Sequence, residues 1–213
     1  MRWLAIGLLL LSSCVSTSVQ PIVKPTPAEP GWQTYQSVDT GVGISLPPAW
    51  RVVAITTDFE PALRSATPDS EVQAQLRPVL AQLRDGGVRF FAFDPTTPVG
   101  SYQPRQFPAL AYASRRAPPP QSLDAFFAGL PPEPAGRVVI DSRHVTGAVG
   151  DLIIRRVRET RVRPDRSLEI SVQYQCGVIH GSFLHILNMQ VPDAVVDTYA
   201  PQMEKIALSF APF

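Results

Sequence analysis

The segment from Leu168 to Cys176 alternates strictly between apolar and polar residues. This period of two residues is typical of a strand in an antiparallel sheet that is covered on one face. It belongs to a run of four expected strands with no helix between them, at Arg137 to Val145, Val149 to Val162, Ser167 to Cys176 and Gly181 to Val191. Strands that follow one another so directly form an antiparallel meander, and this constrains the fold more than any other feature of the chain.

Shorter strands are expected in the first half of the chain. The segments WQTYQSVD and Val42 to Leu46 predict a hairpin around Thr40-Gly41, and the two prolines that follow end its second strand. Further strands are expected at RVVAITT, VRFFAFD and ALAYASR, which begin at Arg51, Val88 and Ala109.

Three helices are expected among these strands. The first, from Ser70 to Arg84, has an apolar face with the 3.6-residue period of a helix, and Pro78 should bend or divide it; the face consists of Val72, Leu76, Val79, Leu80 and Leu83. The second is SLDAFFAGL, with Ser122 as its N-cap. The third closes the chain, and Pro201 should kink it or mark its start. Strands in runs with added helices predict an α+β protein with a central antiparallel sheet and helices packed on it.

The N-terminus has the pattern of an export signal. Nine apolar residues run from Trp3 to Leu11, whereas a membrane-spanning helix needs about 20. A run of this length suits the apolar region of a signal peptide. Leu11-Ser12-Ser13-Cys14 then resembles the bacterial lipobox. That resemblance implies cleavage before Cys14 and a lipid, including diacylglycerol and palmitate-type acyl chains, on its sulfur. The alternative is an ordinary signal peptide with an incidental cysteine.

These patterns divide the chain into three parts. Residues 1–13 are the expected lipoprotein signal peptide, residues 14–31 are the lipid-anchored cysteine with a proline-rich spacer, and residues 32–213 form a single domain. The spacer reaches at most about 50 Å if it is extended at roughly 3.1 Å per residue. The expected location is the extracytoplasmic face of the cell membrane or the outer membrane, and the sequence leaves both open.

Composition argues against a nucleic acid partner and against a disulfide within the chain. The chain has 19 basic and 18 acidic residues, without the concentrated basic surface that nucleic acid requires, so no nucleic acid partner is expected. It has two cysteines, and if Cys14 carries lipid, Cys176 has no partner for a disulfide within the chain.

The candidate catalytic and metal-binding residues do not form a convincing site. His180 and His185 are five residues apart, so on one regular strand they would point to opposite faces and could not chelate one metal ion. Cys176 extends the apolar side of its strand and is expected in the core, although pairing with His180 would make it a nucleophile. No catalytic residue, metal site or cofactor is therefore predicted.

Six arginines fall within twelve residues and are the one local charge anomaly. We favour the solvated face and tip of a hairpin, and the alternative is contact with lipid head groups or an acidic partner. The six are Arg155, Arg156, Arg158, Arg161, Arg163 and Arg166. A second candidate for partner binding is the proline-rich loop from Pro95 to Pro108 together with Trp50, which otherwise plugs the core.

Several motifs taken in order resemble the Mog1/PsbP-like family. They are GVGISLPPAW from Gly41, SLDAFFAGL from Ser122, VTGAVGDLIIRRV from Val145 and MEKIALSF from Met203, and the likeness covers Trp32 to Phe213. The family includes the extrinsic PsbP proteins of photosystem II, a nuclear-transport factor and bacterial lipoproteins. The resemblance implies an α/β/α sandwich, an antiparallel sheet between helices, and an activity of binding and assembly rather than catalysis.

The leading functional expectation is a lipid-anchored, non-catalytic accessory or assembly factor that docks on a membrane-associated protein complex. The lipid on Cys14 would hold it at the membrane. One alternative is a carrier of a small or lipidic ligand, held in a cleft between the sheet and a helix. The second alternative is a hydrolase that uses Cys176 and His180, which requires both side chains to share an exposed pocket.

Overall fold

The computed structural model describes residues 28–37, 41–96, 106–116, 122–163 and 165–212. The signal peptide, Cys14 and the spacer up to residue 27 lie outside the described residues, as does most of the proline-rich loop between Pro95 and Pro108. The predictions made for those segments therefore stay predictions.

Two antiparallel sheets form the frame. The strands are β1 (Gln33–Ser37), β2 (Val42–Leu46), β3 (Arg51–Ala54), β4 (Val88–Phe93), β5 (Ala109–Arg116), β6 (Arg137–Gly147), β7 (Gly150–Val162), β8 (Leu168–His180), β9 (Phe183–Pro192) and β10 (Ala211–Pro212). Seven of them form the main sheet in the order β3-β4-β5-β9-β8-β7-β6, and β1-β2-β10 form a small sheet. The predicted meander is confirmed as β6 to β9, each strand antiparallel to the next.

Helices lie between and after the strands. They are α1 (Glu60–Ala66), α2 (Ser70–Asp85), α3 (Leu123–Ala128) and α4 (Val196–Ser209), with a 3-10 turn at Asp193–Val195. Ser122 caps α3 as predicted, since its side chain accepts a hydrogen bond from the Ala125 N–H. None of the described helices combines the length and the apolar character needed to cross a lipid bilayer.

The two faces of the main sheet are covered differently. On the front face, the small sheet and α4 bury a continuous core that includes Ile44, Phe90, Ile154 and Met203. On the back face, α1 and α2 pack on Phe91 and the strands around it, and α3 packs separately on the other end of the sheet. Adjacent residues such as Phe90 and Phe91 serve opposite faces because side chains alternate along a strand. Helices on both faces of an antiparallel sheet confirm the predicted α+β class.

The structure departs from the predicted elements in a few places. The helix α1 and the strand β10 were not anticipated, and β8 runs four residues beyond Cys176 to His180. Pro78 lies inside an undivided α2. Pro201 lies inside α4, which begins five residues earlier at Val196. In both helices the packing of the apolar face outweighs the hydrogen bond that the proline removes.

The N-terminal end of the described chain is fixed beside α4. The Ala28 N–H donates to Ser45 Oγ at 2.9 Å, and the Ser45 N–H donates to Ser209 Oγ at 3.0 Å. Glu29 and Lys205 form an ion pair next to these bonds. Because Ser209 is the last residue of α4, residue 28, where the described chain begins, lies near the C-terminal end of that helix. The same end of the sheet carries the β6–β7 turn, since the Ala148 N–H donates to the Leu208 carbonyl.

Candidate functional site

A groove of about 270 Å³ opens on the back face of the main sheet, beside α2. We call it the central groove. Its wall is formed by Val79 and Leu83 of α2, and its floor runs across β5, β9 and β8. The floor residues are Ala109, Ala111, Ala113, Asn188, Gln190 and Gln173.

The groove is deep along β5 because the side chains that this strand directs to the back face at the groove are alanines. Leu110 and Tyr112 alternate with these alanines and are fully buried on the front face. Ala111 lies directly between Phe91 of β4 and Asn188 of β9 in the register of the sheet. The strand therefore fixes the fold with its front face and leaves space on its back face.

The α2 wall differs from the sequence prediction at one residue. The predicted apolar face included Val79, but this side chain is 43 % exposed, whereas Leu76 and Leu80 are buried against the sheet. The apolar face of α2 is wider than the part of the helix that contacts the sheet. Val79 lies at the margin of this face and is therefore left exposed at the groove. An exposed valine beside Leu83 gives the groove an apolar wall.

The part of the floor that lies away from α2 carries amide side chains, which we call the amide row. Gln173 of β8 lies opposite Gln190 of β9, and Gln175 lies opposite Asn188. Gln190 donates to Ser171 Oγ at 3.1 Å. Asn188 is exposed and makes no hydrogen bond with any other side chain among the described residues. Each amide offers both donors and acceptors, so this row can bind a polar group of either kind.

A network of charged residues continues from the amide row. Gln173 accepts a hydrogen bond from Arg137 at 3.0 Å and donates one to Glu159. Glu133 forms ion pairs with Arg137 at 3.2 Å and with Arg155 at 2.7 Å. Glu133 and Arg155 are only 15 % and 11 % exposed, so this network is a fixed edge of the site rather than a mobile surface.

The structure distributes the six arginines instead of gathering them into one basic patch. Five of them form ion pairs with acidic residues, most of which come from other segments of the chain. The pairs are Arg155–Glu133, Arg156–Asp141, Arg158–Asp193, Arg161–Glu159 and Arg163–Glu169. Hydrogen bonds from Arg156 lower the pKa of Asp141 below its usual range. Arg166 lies in the β7–β8 turn with a positive φ of 66°. Contact of these residues with an anionic surface stays a prediction.

The last three of these arginines lie at the tip of the β7–β8 hairpin. Its final pairs, from Thr160–Ile170 to Val162–Leu168, extend beyond the ends of the neighbouring β6 and β9. The 13 residues of β8 span about 40 Å at roughly 3.3 Å per residue. The tip therefore lies at the end of the sheet that is remote from Ser209 and from Ala28, where the described chain begins.

The cysteine-histidine pair does not form a nucleophilic site. Cys176 is 1 % exposed and packs in the front-face core. Burial raises the pKa of its thiol to about 12, so the thiolate that attacks substrates does not form at neutral pH. The hydrolase alternative therefore lacks its nucleophile.

His180 and His185 lie closer together than the sequence suggested. They were expected on one strand with opposite orientations, but β8 ends at His180 and β9 begins at Phe183. The hairpin turn brings the two rings to 6.4 Å between centroids. No group of three potential metal ligands (His, Cys, Asp or Glu) occurs within the described parts of the chain.

Buried His185 predicts an acid-sensitive fold. Its Nδ1 lies 2.8 Å from the Tyr112 hydroxyl, and burial, then the charge of His180, lowers its pKa to about 4. The unfolded chain binds this proton near pH 6.5, so the free energy of unfolding should fall between pH 6.5 and 4, by up to about 3 kcal/mol. Denaturant titrations across this range should show a shallower pH dependence for His185→Gln than for the wild type, with His144→Gln, a substitution of the exposed histidine of β6, as control. Equal slopes for wild type and His185→Gln would contradict the assignment.

Trp50 is a core residue, as one of the two interpretations of the sequence expected. It is 2 % exposed and belongs to the front-face core. The other interpretation combined Trp50 with the proline-rich loop as a partner-binding surface, and that loop lies mostly outside the described residues.

Comparisons with known proteins give structural matches only. No family model and no curated protein sequence matches the chain. The chain is similar to the cyanobacterial PsbP protein (CyanoP) of Synechocystis sp. PCC 6803, with 13 % identity, 95 % of this chain and 99 % of that chain covered, and a TM-score of 0.47. It is also similar to LpqN of Mycobacterium tuberculosis, involved in cell envelope biogenesis, with 11 % identity, coverage of 84 % and 89 %, and a TM-score of 0.47.

A third similar structure is the Ran-binding protein Mog1p of Saccharomyces cerevisiae. It has 8 % identity, coverage of 85 % of this chain and 95 % of that chain, and a TM-score of 0.46. The fold class assigned above rests on the strand order and layers of this chain itself.

Proposed function

We propose that this chain is an exported, lipid-anchored, non-catalytic accessory protein that binds a segment of a membrane-associated protein partner in its central groove. The observation that carries the proposal is the groove itself. It is a concave strip of the main sheet that the helices leave uncovered, with an apolar wall at Val79 and Leu83 and the amide row on the floor away from α2. The segment it suits is a polypeptide with apolar side chains on one side and polar groups on the other.

The size of the groove favours a protein segment over an enclosed small molecule. Pockets that enclose small ligands usually measure about 300 to 1,000 Å³. The central groove holds about 270 Å³ and is open along one side. A segment of a partner that extends past both ends of the groove would use this space and add contacts on the charged network around Glu133.

The proposed lipid anchor would compensate for weak binding in so small a groove. A lipid on Cys14 would confine the domain to the membrane surface and raise its effective concentration near a membrane-associated partner. The free part of the spacer, residues 14–27, would hold its attachment point near Ser209 within about 43 Å of the membrane, at roughly 3.1 Å per residue. Weak contacts in the groove would then suffice for occupancy.

The test of this function is to fill the groove. Ala111→Trp places a large ring on the groove floor, and Ala128→Trp places the same ring on an exposed position of α3. Partners would be recovered from native membranes in mild detergent and quantified by mass spectrometry. We expect a membrane protein that is recovered with the wild type and with Ala128→Trp, but reduced about tenfold or more with Ala111→Trp, a change of about 1.4 kcal/mol in binding. Equal recovery with both variants would contradict the proposal.

The second candidate function is a carrier of a small or lipidic ligand. It is favoured by the same groove, because Val79, Leu83 and Phe91 offer an apolar lining between a helix and the sheet. Native mass spectrometry of the purified protein separates the two functions. A bound small molecule that Ala111→Trp displaces would favour the carrier, whereas a protein partner without such a molecule would favour the accessory role.

A further inference from the structure

A cleft of about 300 Å³ opens at one edge of the main sheet, beside β3. The strand β3 is an edge strand of that sheet, and β1 is an edge strand of the small sheet. The walls of the cleft are β1 and the C-terminal end of α1, with Trp50, Arg51 and Val52 between them. We call it the edge cleft. Among the described residues it shares no lining residue with the central groove, so it is a separate site.

Arg51 supplies the charge of the edge cleft. Its Nη1 donates to the carbonyl oxygens of Pro48 and Trp50, at 3.0 and 3.2 Å, and these bonds hold the guanidinium group against the turn before β3. A guanidinium group has further N–H donors on Nε and on its second terminal nitrogen. Within the described parts of the chain, Nε and Nη2 of Arg51 have no hydrogen-bond or ion-pair partner. These donors are therefore available to a ligand.

The charge of Arg51 is not balanced by the rest of the cleft. No acidic residue lines the edge cleft in the part of the chain that the structure describes. Glu60 of the neighbouring α1 already forms an ion pair with Arg77 at 2.5 Å. Most arginines of the β7–β8 hairpin, by contrast, have an acidic partner within the chain. A cleft lined by charge of one sign attracts ligands of the opposite sign, so the edge cleft favours an anion.

Trp50 adds a donor that is buried without a partner. Its side chain lines the edge cleft and is 2 % exposed, and its Nε1–H makes no hydrogen bond within the described chain. Buried polar groups nearly always have a partner, because an unpaired donor has lost its hydration without compensation. An acceptor atom on a ligand in the cleft would provide that partner.

The rest of the lining is partly apolar and partly polar without charge. Tyr35, Leu46 and Val52 offer apolar surface. The uncharged polar residues are Gln33, Thr34 and Ser65. We propose that the edge cleft binds a small carboxylic acid with an apolar body, with the carboxylate bound by Arg51 and the Trp50 N–H and the body against the apolar lining. Arginine suits this role because its forked donors match the two oxygens of a carboxylate.

A carboxylate suits this site better than a phosphate. A phosphate monoester carries a charge of about −2 at neutral pH, whereas the edge cleft has one guanidinium group and no second cation among its described lining residues. Its volume of about 300 Å³ lies at the lower end of the range for small-molecule pockets. A short ligand held by one ion pair should bind with a Kd of about 1 mM. The C-terminal carboxylate of a polypeptide has the same chemistry, and a peptide probe separates the two sources.

Nuclear magnetic resonance of the purified, nitrogen-labelled protein tests this site. The probes are hexanoate, 3-phenylpropionate and the uncharged 3-phenylpropionamide, and the indole N–H signal that disappears in Trp50→Phe reports on the cleft. We expect both carboxylates to shift this signal saturably and the amide to bind about tenfold more weakly. Arg51→Gln should weaken the binding of the carboxylates by a similar factor. The matched control is Arg116→Gln, which changes an exposed arginine at the far end of β5 and should leave binding unchanged.

Two further variants locate the ligand. Ser65→Trp places a large ring at an exposed position of the cleft wall and should abolish the shift, whereas Ala111→Trp in the central groove should leave it unchanged. The absence of a saturable shift with either carboxylate would overturn the inference. So would equal affinity for 3-phenylpropionate and its amide, equal affinity of Arg51→Gln and the wild type, or a shift that survives Ser65→Trp.

The peptide acetyl-Gly-Gly-Phe separates a free acid from a polypeptide C-terminus. It carries the same phenyl ring and carboxylate on a longer chain, so we expect it to bind no more tightly than 3-phenylpropionate. Tighter binding of the peptide would assign the edge cleft to polypeptide C-termini instead. None of these measurements depends on the lipid anchor or on a partner in the central groove, so they separate this inference from the proposed function.

Discussion

Replacing Cys14 with alanine is expected to release the protein from the membrane. If the lipobox resemblance holds, the cysteine sulfur and the new N-terminus carry two or three acyl chains, each contributing about 0.8 kcal/mol per buried methylene. Without the thiol, the lipid cannot be attached to residue 14, and the signal peptide is not cleaved before it. We expect the wild type in the membrane fraction and most of the Cys14→Ala chain outside it. Mass spectrometry should find the mature wild-type chain beginning at a lipidated Cys14.

The matched control for this experiment is the other cysteine. Cys176 is buried in the front-face core, so Cys176→Ala should change stability slightly and leave the membrane fraction unchanged. A wild-type protein whose N-terminus carries no lipid, or a Cys14→Ala chain that fractionates like the wild type, would contradict the anchor. The protein would then be a secreted or otherwise attached chain, and the groove would have to bind without the help of the membrane.

Replacing Phe90 with alanine is expected to have the largest effect on stability. Phe90 is fully buried in the front-face core and stacks on Tyr35 of the small sheet, with ring centroids 4.7 Å apart. Loss of a buried phenylalanine costs about 3 to 5 kcal/mol, because the transfer free energy is lost and a cavity remains. In a domain of this size, that corresponds to a fall in Tm of roughly 6 to 20 °C. Calorimetry or chemical denaturation measures it directly.

An exposed apolar residue provides the comparison for Phe90→Ala. Val162 at the hairpin tip is 71 % exposed, and its replacement by alanine should change the free energy of unfolding by no more than about 0.5 kcal/mol. If Phe90→Ala were as mild as Val162→Ala, the small sheet would not pack on the main sheet as described. The contacts between the two sheets would then have to be made by other residues.

Local sequence patterns predicted the elements whose environment is simple. The alternation from Leu168 to Cys176 predicted β8 because one face of that strand is covered by the core and the other is largely polar. The Ser122 cap marks the start of α3 through a local hydrogen bond, which requires no knowledge of the rest of the fold. Such features are encoded within a few residues, so a single sequence reveals them.

The features of the candidate site depend on distant segments and could not be predicted in this way. Val79 has the spacing of a core residue, and only the position of α2 on the sheet leaves it exposed beside β5. Arg155 belongs to the basic run of the sequence, but Glu133 from the loop after α3 forms an ion pair with it. His180 and His185 are neighbours because β8 extends to His180 before it turns. In each case a long-range contact changes the meaning of a local pattern.

Site-specific photo-crosslinking in native membranes would show whether the central groove binds a membrane-associated protein. A photoreactive residue would replace Val79 at the groove wall in the lipidated chain, and the same residue at Val162 would sample the remote hairpin tip. Light-dependent probes are preferable here because the chain has only two lysines for amine reagents, Lys24 and Lys205. We predict one membrane-associated protein that crosslinks from Val79, does not crosslink from Val162, and is lost when Ala111→Trp fills the groove. The same background of proteins from both positions, unaffected by Ala111→Trp, would contradict it.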